Sequence, residues 1–183
     1  MLKCLAQRNF PLEQLTLLAS ERSAGRKLTF RDQEIEVQTL GHDSFEGVDI
    51  ALFSAGGSLS LEFGPSAAAA GAVVIDNSSA FRMDPEVPLV VPEVNPNSAE
   101  SRPKGIIANP NCTTTITMMG LNPLHRKFGL KSIIASSYQA VSGSGQAGIL
   151  ELSNQVRALS EGRSDFERTV YPHQIAFNVI PHV

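Results

Sequence analysis

The chain reads as an α/β protein organised around a parallel, doubly wound sheet, and three observations carry that reading. Short apolar runs of strand length alternate with segments of helical periodicity. Four of those runs end in unusual polar clusters: Ser20-Glu21-Arg22-Ser23, Ser54-Ala55-Gly56-Gly57-Ser58, Asp76-Asn77-Ser78-Ser79 and Asn109-Pro110-Asn111-Cys112. In a parallel sheet these strand ends share one edge, where ligands bind. Finally, 183 residues at 42% hydrophobic suit one domain, or one domain and part of a second, without internal repeats.

Taken in order, residues 1–9 predict the end of a helix, with Leu2, Leu5 and Ala6 on one face and Asn9-Phe10-Pro11 as its stop. Residues 15–19 are a short buried strand, and 35–40 alternate as a half-exposed strand does. Residues 48–53 predict another buried strand. Residues 59–70 are Ala-rich and helical, closed by Gly71, and 72–75 form a third buried strand. Residues 84–104 hold five prolines and predict an irregular but ordered connection, with a short strand at Leu89-Val90-Val91. A strand at 105–108 then leads into a helix over 113–128. A long strand is expected over 131–141. A helix over 146–160 follows, with Ile149, Leu152, Val156 and Leu159 along its apolar face, and a final strand at 174–181.

Composition excludes several function classes. The net charge is −3 with no basic stripe or acidic tail, which argues against nucleic acid and anionic membranes. No run is long enough for a signal peptide or a membrane-spanning helix. Two cysteines, Cys4 and Cys112, make no disulfide framework, and a reducing cytoplasmic setting is the simplest expectation. Two distant cysteines and scattered histidines lack metal-ligand spacing, so no metal is expected.

Cys112 sits where a loop passes into a helix. A helix start carries partial positive charge and free N–H groups that favour a thiolate and can hold an oxyanion. That contribution is about 0.3–1 kcal/mol, too little to make a strong nucleophile without a base. Position alone leaves two readings open: a nucleophile, or a small buried apolar residue. Cys4, on a short helix with no polar loop beside it, reads as structural.

The phrases 44–58, Asp76-Asn77-Ser78-Ser79-Ala80-Phe81-Arg82-Met83, Val90-Val91-Pro92-Glu93-Val94-Asn95 and Asn109-Pro110-Asn111-Cys112-Thr113-Thr114 closely resemble the bacterial aspartate-semialdehyde dehydrogenase family. So do Tyr138-Gln139-Ala140-Val141-Ser142-Gly143-Ser144-Gly145 and Pro172-His173-Gln174-Ile175-Ala176-Phe177-Asn178. The resemblance runs in order over nearly the whole chain. It implies NADPH-dependent reduction of aspartyl phosphate to aspartate semialdehyde, or the reverse with phosphate, through a cysteine thioester. Lysine, threonine and methionine biosynthesis, with the diaminopimelate branch, is the implied setting. It also implies a Rossmann-type NADP-binding domain over 1–109, then the beginning of an α+β catalytic and dimerisation domain over 110–183. The full-length family enzyme is a homodimer.

Carried over residue by residue, Cys112 matches the nucleophile and Gln139 the glutamine that orients substrate beside it. Arg82 matches the arginine on the reacting phosphate, a role its guanidinium fork suits. Asn111 matches a phosphate contact. Arg22 and Ser23 match the pair at the 2′-phosphate of NADP, where an arginine is physically apt. Ser142 and Gly143 match a turn near the nicotinamide, and Ala55 and Gly56 lie where small residues let a cofactor approach backbone. Without the resemblance each has a plainer reading: Arg82 and Arg22 as surface cations, Asn111 as a helix cap, Gln139 as a surface residue, Ser142-Gly143 as an ordinary turn.

The sequence departs from the family at both ends. The family's opening strand and Gly-Ala-Thr-Gly-x-x-Gly turn, which cradles the pyrophosphate, have no counterpart. Calorimetry on the chain is therefore expected to show NADPH binding weakly or not at all. None of His42, His125, His173 or His182 sits in the motif of the family's base, so turnover by this chain alone is expected near zero. His173 reads as structural. Two alternatives stay open: a catalytically incompetent fragment that at most associates with intact subunits, and an enzyme like N-acetyl-glutamyl-phosphate reductase.

Overall fold

Apolar runs too short for helices set the strands of the first half of the chain. The computed structural model describes residues 1–181, which divide into two compact units between Pro110 and Asn111. The first unit opens with helix α1 (Leu2–Gln7), which buries none of its residues and leaves Cys4 exposed. Strand β1 (Leu17–Ala19) pairs in parallel with β3 (Gln33–Thr39), and β2 (Lys27–Phe30) pairs antiparallel with β3. The β2–β3 hairpin is absent from the sequence-based expectations. It turns through Arg31 at φ +53, a backbone conformation that no glycine announces.

A second sheet holds β4 (Ile50–Phe53), β5 (Val73–Asp76) and β6 (Ile106–Ala108), all parallel, in the order β4-β5-β6. The expected strand at 89–91 contributes one parallel bridge, Leu89 to Ala108. The α/β class therefore stands, with its strands distributed over two three-stranded sheets. Strands β1 and β4 lie at sheet edges.

Helix α2 (Gly57–Ala69) packs its Phe63 and Ala67 onto one face of this second sheet. Ala51, Phe53, Val74, Ile106 and Ala108 form the sheet side of the core, and Phe45, Phe81 and Val87 close it. Each large side chain removed from water here contributes about 1.5–3 kcal/mol. Gly64 admits the Phe81 ring against α2, since an added Cβ would stand 3.3 Å from it. The expectation that 48–53 and 72–75 are wholly buried strands is corrected. Burial alternates along both, and Ile50, Leu52 and Ile75 remain 44%, 39% and 36% exposed. Among the described residues only one face of this sheet is covered.

The second unit contains α3 (Cys112–Phe128) and α4 (Gly145–Ser160), close to the predicted spans. Two expected strands do not form. Residues 131–140 make no ladder hydrogen bonds, because no strand among the described residues lies beside them. Residues 174–178 turn instead: Asn178 N–H donates to the Ile175 carbonyl, and Phe177 takes φ +56. The buried face of α4 also differs from the apolar stripe. Gly148, Glu151, Gln155 and Ala158 are buried, whereas Ile149 and Val156 are each 37% exposed. Two polar side chains take the inner face because they satisfy the backbone of the segment packed against it.

Candidate active site

In the second unit, Asn111 caps α3: its Oδ1 accepts the Thr113 N–H at 2.9 Å. That bond satisfies one of the free donors of the helix start and fixes Cys112 in the first turn. The Cys112 thiol is exposed and donates to Gln139 Oε1 at 3.7 Å, and Asn111 Nδ2 donates to the same oxygen at 3.3 Å. Gln139 lies 27 residues beyond Cys112, so the fold builds this cluster. Directly after Gln139 the chain closes a tight turn, Val141–Ser144, with Gly143 N–H donating to the Ala140 carbonyl at 2.9 Å. The Gln139 amide packs against Gly143, where an added Cβ would displace it. Asn111, Cys112, Gln139, Ser142 and Gly143 thus belong to one neighbourhood.

In the first unit, Arg82 spans two strand ends. Its Nε donates to the Asn109 carbonyl at 2.9 Å after β6, and Nη2 donates to the Asn77 carbonyl at 3.4 Å after β5. The side chains of Asn109 and Asn77 join at 2.6 Å. Two of five guanidinium donors are used this way, and the others are available to an anion. Under this arrangement lies Asp76, fully buried. It accepts the Ser60 and Ser78 hydroxyls at 2.6 and 2.7 Å and the Ser78 N–H at 3.1 Å. The carboxylate therefore ties the first turn of α2 to the loop after β5.

Arg22 stands exposed after β1 in a single helical turn, Glu21–Ser23, with Ser23 N–H on the Ser20 carbonyl at 2.8 Å. Ala55 and Gly56 follow β4. Gly56 takes φ +99 and precedes α2 with no side chain capping the first-turn N–H groups. A free cation after one strand and an uncapped helix start after another fit a phosphorylated nucleotide. His42 is held by Ser66 Oγ at 2.7 Å and packs on Phe63. His182 lies outside the described residues.

Several supporting residues in each unit have no role in the sequence-based reading. Ser60 joins Asp76, already marked by its strand-end cluster, in the clamp of the first unit. In the second, Tyr171, Ser144, Glu151, Gln155 and Gly148 hold the turn after Gln139. Their signal, a Glu and a Gln four apart on a helix, is ordinary on a solvated face.

Two family models match the chain: the semialdehyde dehydrogenase NAD binding domain over residues 1–102, and the semialdehyde dehydrogenase dimerisation domain over 121–183. The chain belongs to the semialdehyde dehydrogenase family. Within that family it is 54% identical to an aspartate-semialdehyde dehydrogenase of Aquifex aeolicus, across all of this chain and 54% of that protein. One from Bacillus subtilis is 50% identical over the same shares. A crystal structure of aspartate semialdehyde dehydrogenase II from Vibrio cholerae, complexed with ASA, superposes with TM-score 0.86 at 48% identity, covering 100% of this chain and 54% of that one. The aspartate semialdehyde dehydrogenase of Candida albicans, solved with NADP, superposes with TM-score 0.58 at 28% identity over 70% of this chain and 44% of that one. The chain spans about half the length of the curated relatives it matches. These semialdehyde dehydrogenases are all named for aspartate, which does not favour the N-acetyl-glutamyl-phosphate alternative.

Proposed function

We propose that this chain carries the nucleophile of an aspartate-semialdehyde dehydrogenase, an NADP-dependent phosphorylating aldehyde dehydrogenase. The observation that carries the reading is the Cys112 thiol at the start of α3, 3.7 Å from Gln139 Oε1 and beside the capping Asn111. The thiolate of Cys112 attacks the acyl carbon of aspartyl phosphate, phosphate leaves, and a thioester forms. First-turn N–H groups of α3 stabilise the oxyanion on the way. Gln139 orients the acyl group and Asn111 contacts its phosphate, and the family resemblance gives Arg82, in the first unit, a phosphate-binding role. NADPH, when bound, would supply the hydride that takes the acyl group to the aldehyde, with the Cys112 thiolate as leaving group. Arg22 and Ser23 would hold its 2′-phosphate, and Ala55, Gly56, Ser142 and Gly143 would let it approach backbone. In this reading residues 1–109 are the NADP-binding domain and 110–183 the opening of the catalytic and dimerisation domain. The full-length enzyme is a cytoplasmic homodimer in lysine, threonine and methionine biosynthesis.

Incubation with aspartyl phosphate followed by peptide mass spectrometry tests the reading. One aspartyl group is expected on Cys112 and none on the Cys112→Ser chain's remaining thiol, Cys4. Acylation of Cys4 alone, or none on either cysteine, would overturn it.

A further inference from the structure

Gln139 reaches Cys112 from a segment, 131–140, that makes no ladder hydrogen bonds. Something else must hold its amide in place. The turn directly after it, Val141–Ser144, receives the Tyr171 hydroxyl, which donates to Ser144 Oγ at 2.9 Å and lies 3.5 Å from the Val141 carbonyl oxygen. Gly148 on α4 makes room for this junction. A Cβ there would stand 2.8 Å from the Val141 oxygen, 3.0 Å from Ser144 Cβ and 3.1 Å from the Tyr171 hydroxyl.

Tyr171 is itself anchored. Glu151, 6% exposed on α4, accepts the Val170 N–H at 2.6 Å and the Thr169 N–H at 2.8 Å, with the Thr169 hydroxyl at 3.2 Å. Gln155, fully buried one turn further on, donates to Glu151 Oε1 at 3.1 Å. Its own Oε1 accepts the Ile175 and Ala176 N–H groups at 2.9 and 3.1 Å. The strap 169–176 is therefore fastened to α4 on both sides of Tyr171.

We propose that Tyr171 is a positioning residue for the Cys112 centre: its hydroxyl fixes the Val141–Ser144 turn, and through that turn holds the Gln139 amide against the Cys112 thiol. Glu151 and Gln155 make the hydroxyl's position reproducible. The catalytic meaning of this role rests on the function proposed above, but the contact itself does not, and neither does its test.

The test is a double-mutant cycle read as the rate of Cys112 alkylation by iodoacetamide, with Cys4 separated by peptide mass spectrometry. Tyr171→Phe removes one oxygen and keeps the ring. It is expected to change the Cys112 rate by at least about threefold in the otherwise native chain, and to leave it unchanged when Gln139 is already alanine. Ser144→Ala should reproduce the effect, and the pair should not add. A merely structural hydroxyl would shift the melting temperature and act by the same factor in both backgrounds. An unchanged rate in the native background, or an equal change in both, overturns the proposal. Because no substrate enters, coupling without Cys112 acylation would reject the proposed reaction and keep Tyr171's role. Acylation without coupling would do the reverse.

Discussion

Gly105 shows how tightly single positions are specified in the first unit. Its φ is +68, and an added Cβ would stand 3.0 Å from the Ala68 Cβ on α2. Gly105→Ala therefore carries both a backbone and a packing penalty. It should cost about 1–2 kcal/mol, read from the urea midpoint of the chain. Cys112 is specified differently. Its place at a helix start is legible in sequence, because a polar Asn111 before a long periodic segment marks an N-terminus. Its partnership with Gln139 is not legible from spacing, since 27 residues separate them; only the resemblance to known enzymes suggests it.

Elements are where physical reading of the sequence meets its limit. The spans of α2, α3 and α4 follow from periodicity and from the glycines that end them. The inner face of α4 does not, because Glu151 and Gln155 are drawn inward by unpaired backbone N–H groups 18 to 21 residues away. A hydrophobicity pattern holds no record of such needs. The same bonds explain the failed strand at 174–178: Gln155 takes the N–H groups that a ladder would have used. Burial pushes the Glu151 carboxyl up. The N–H groups of Val170 and Thr169 and the Thr169 hydroxyl outweigh that and hold it below its ordinary range. A depressed carboxylate stabilises the fold fully above its unfolded value, about 4.3, and loses that contribution as pH falls through the lower folded value. The amide shifts of Thr169 and Val170 should thus titrate below the ordinary carboxylate range. Glu151→Ala should abolish that titration and destabilise the second unit by about 3 kcal/mol, measured by chemical denaturation.

At the scale of the molecule, much apolar surface is left uncovered. Ile133, Ile134 and Tyr138 are 54%, 101% and 84% exposed along the unpaired segment 131–140, and α3 buries none of its residues. Patches of this kind bind hydrophobic dyes and promote association. The chain should enhance the fluorescence of anilinonaphthalene sulfonate at neutral pH. Ile134→Lys with Tyr138→Lys should reduce that enhancement without lowering the melting temperature, since neither side chain is buried. No helix among the described residues is long and apolar enough to cross a membrane.

Arg82 carries one more consequence. An arginine side chain gives up about 2 kcal/mol of rotamer freedom when it is immobilised. With Nε and Nη2 already tethered to the carbonyls of Asn109 and Asn77, that loss falls on folding and is not repeated when an anion arrives. A lysine at this position would carry its three donors on a single nitrogen, without the planar fork by which Nε and Nη2 hold two carbonyls and leave Nη1 to a ligand.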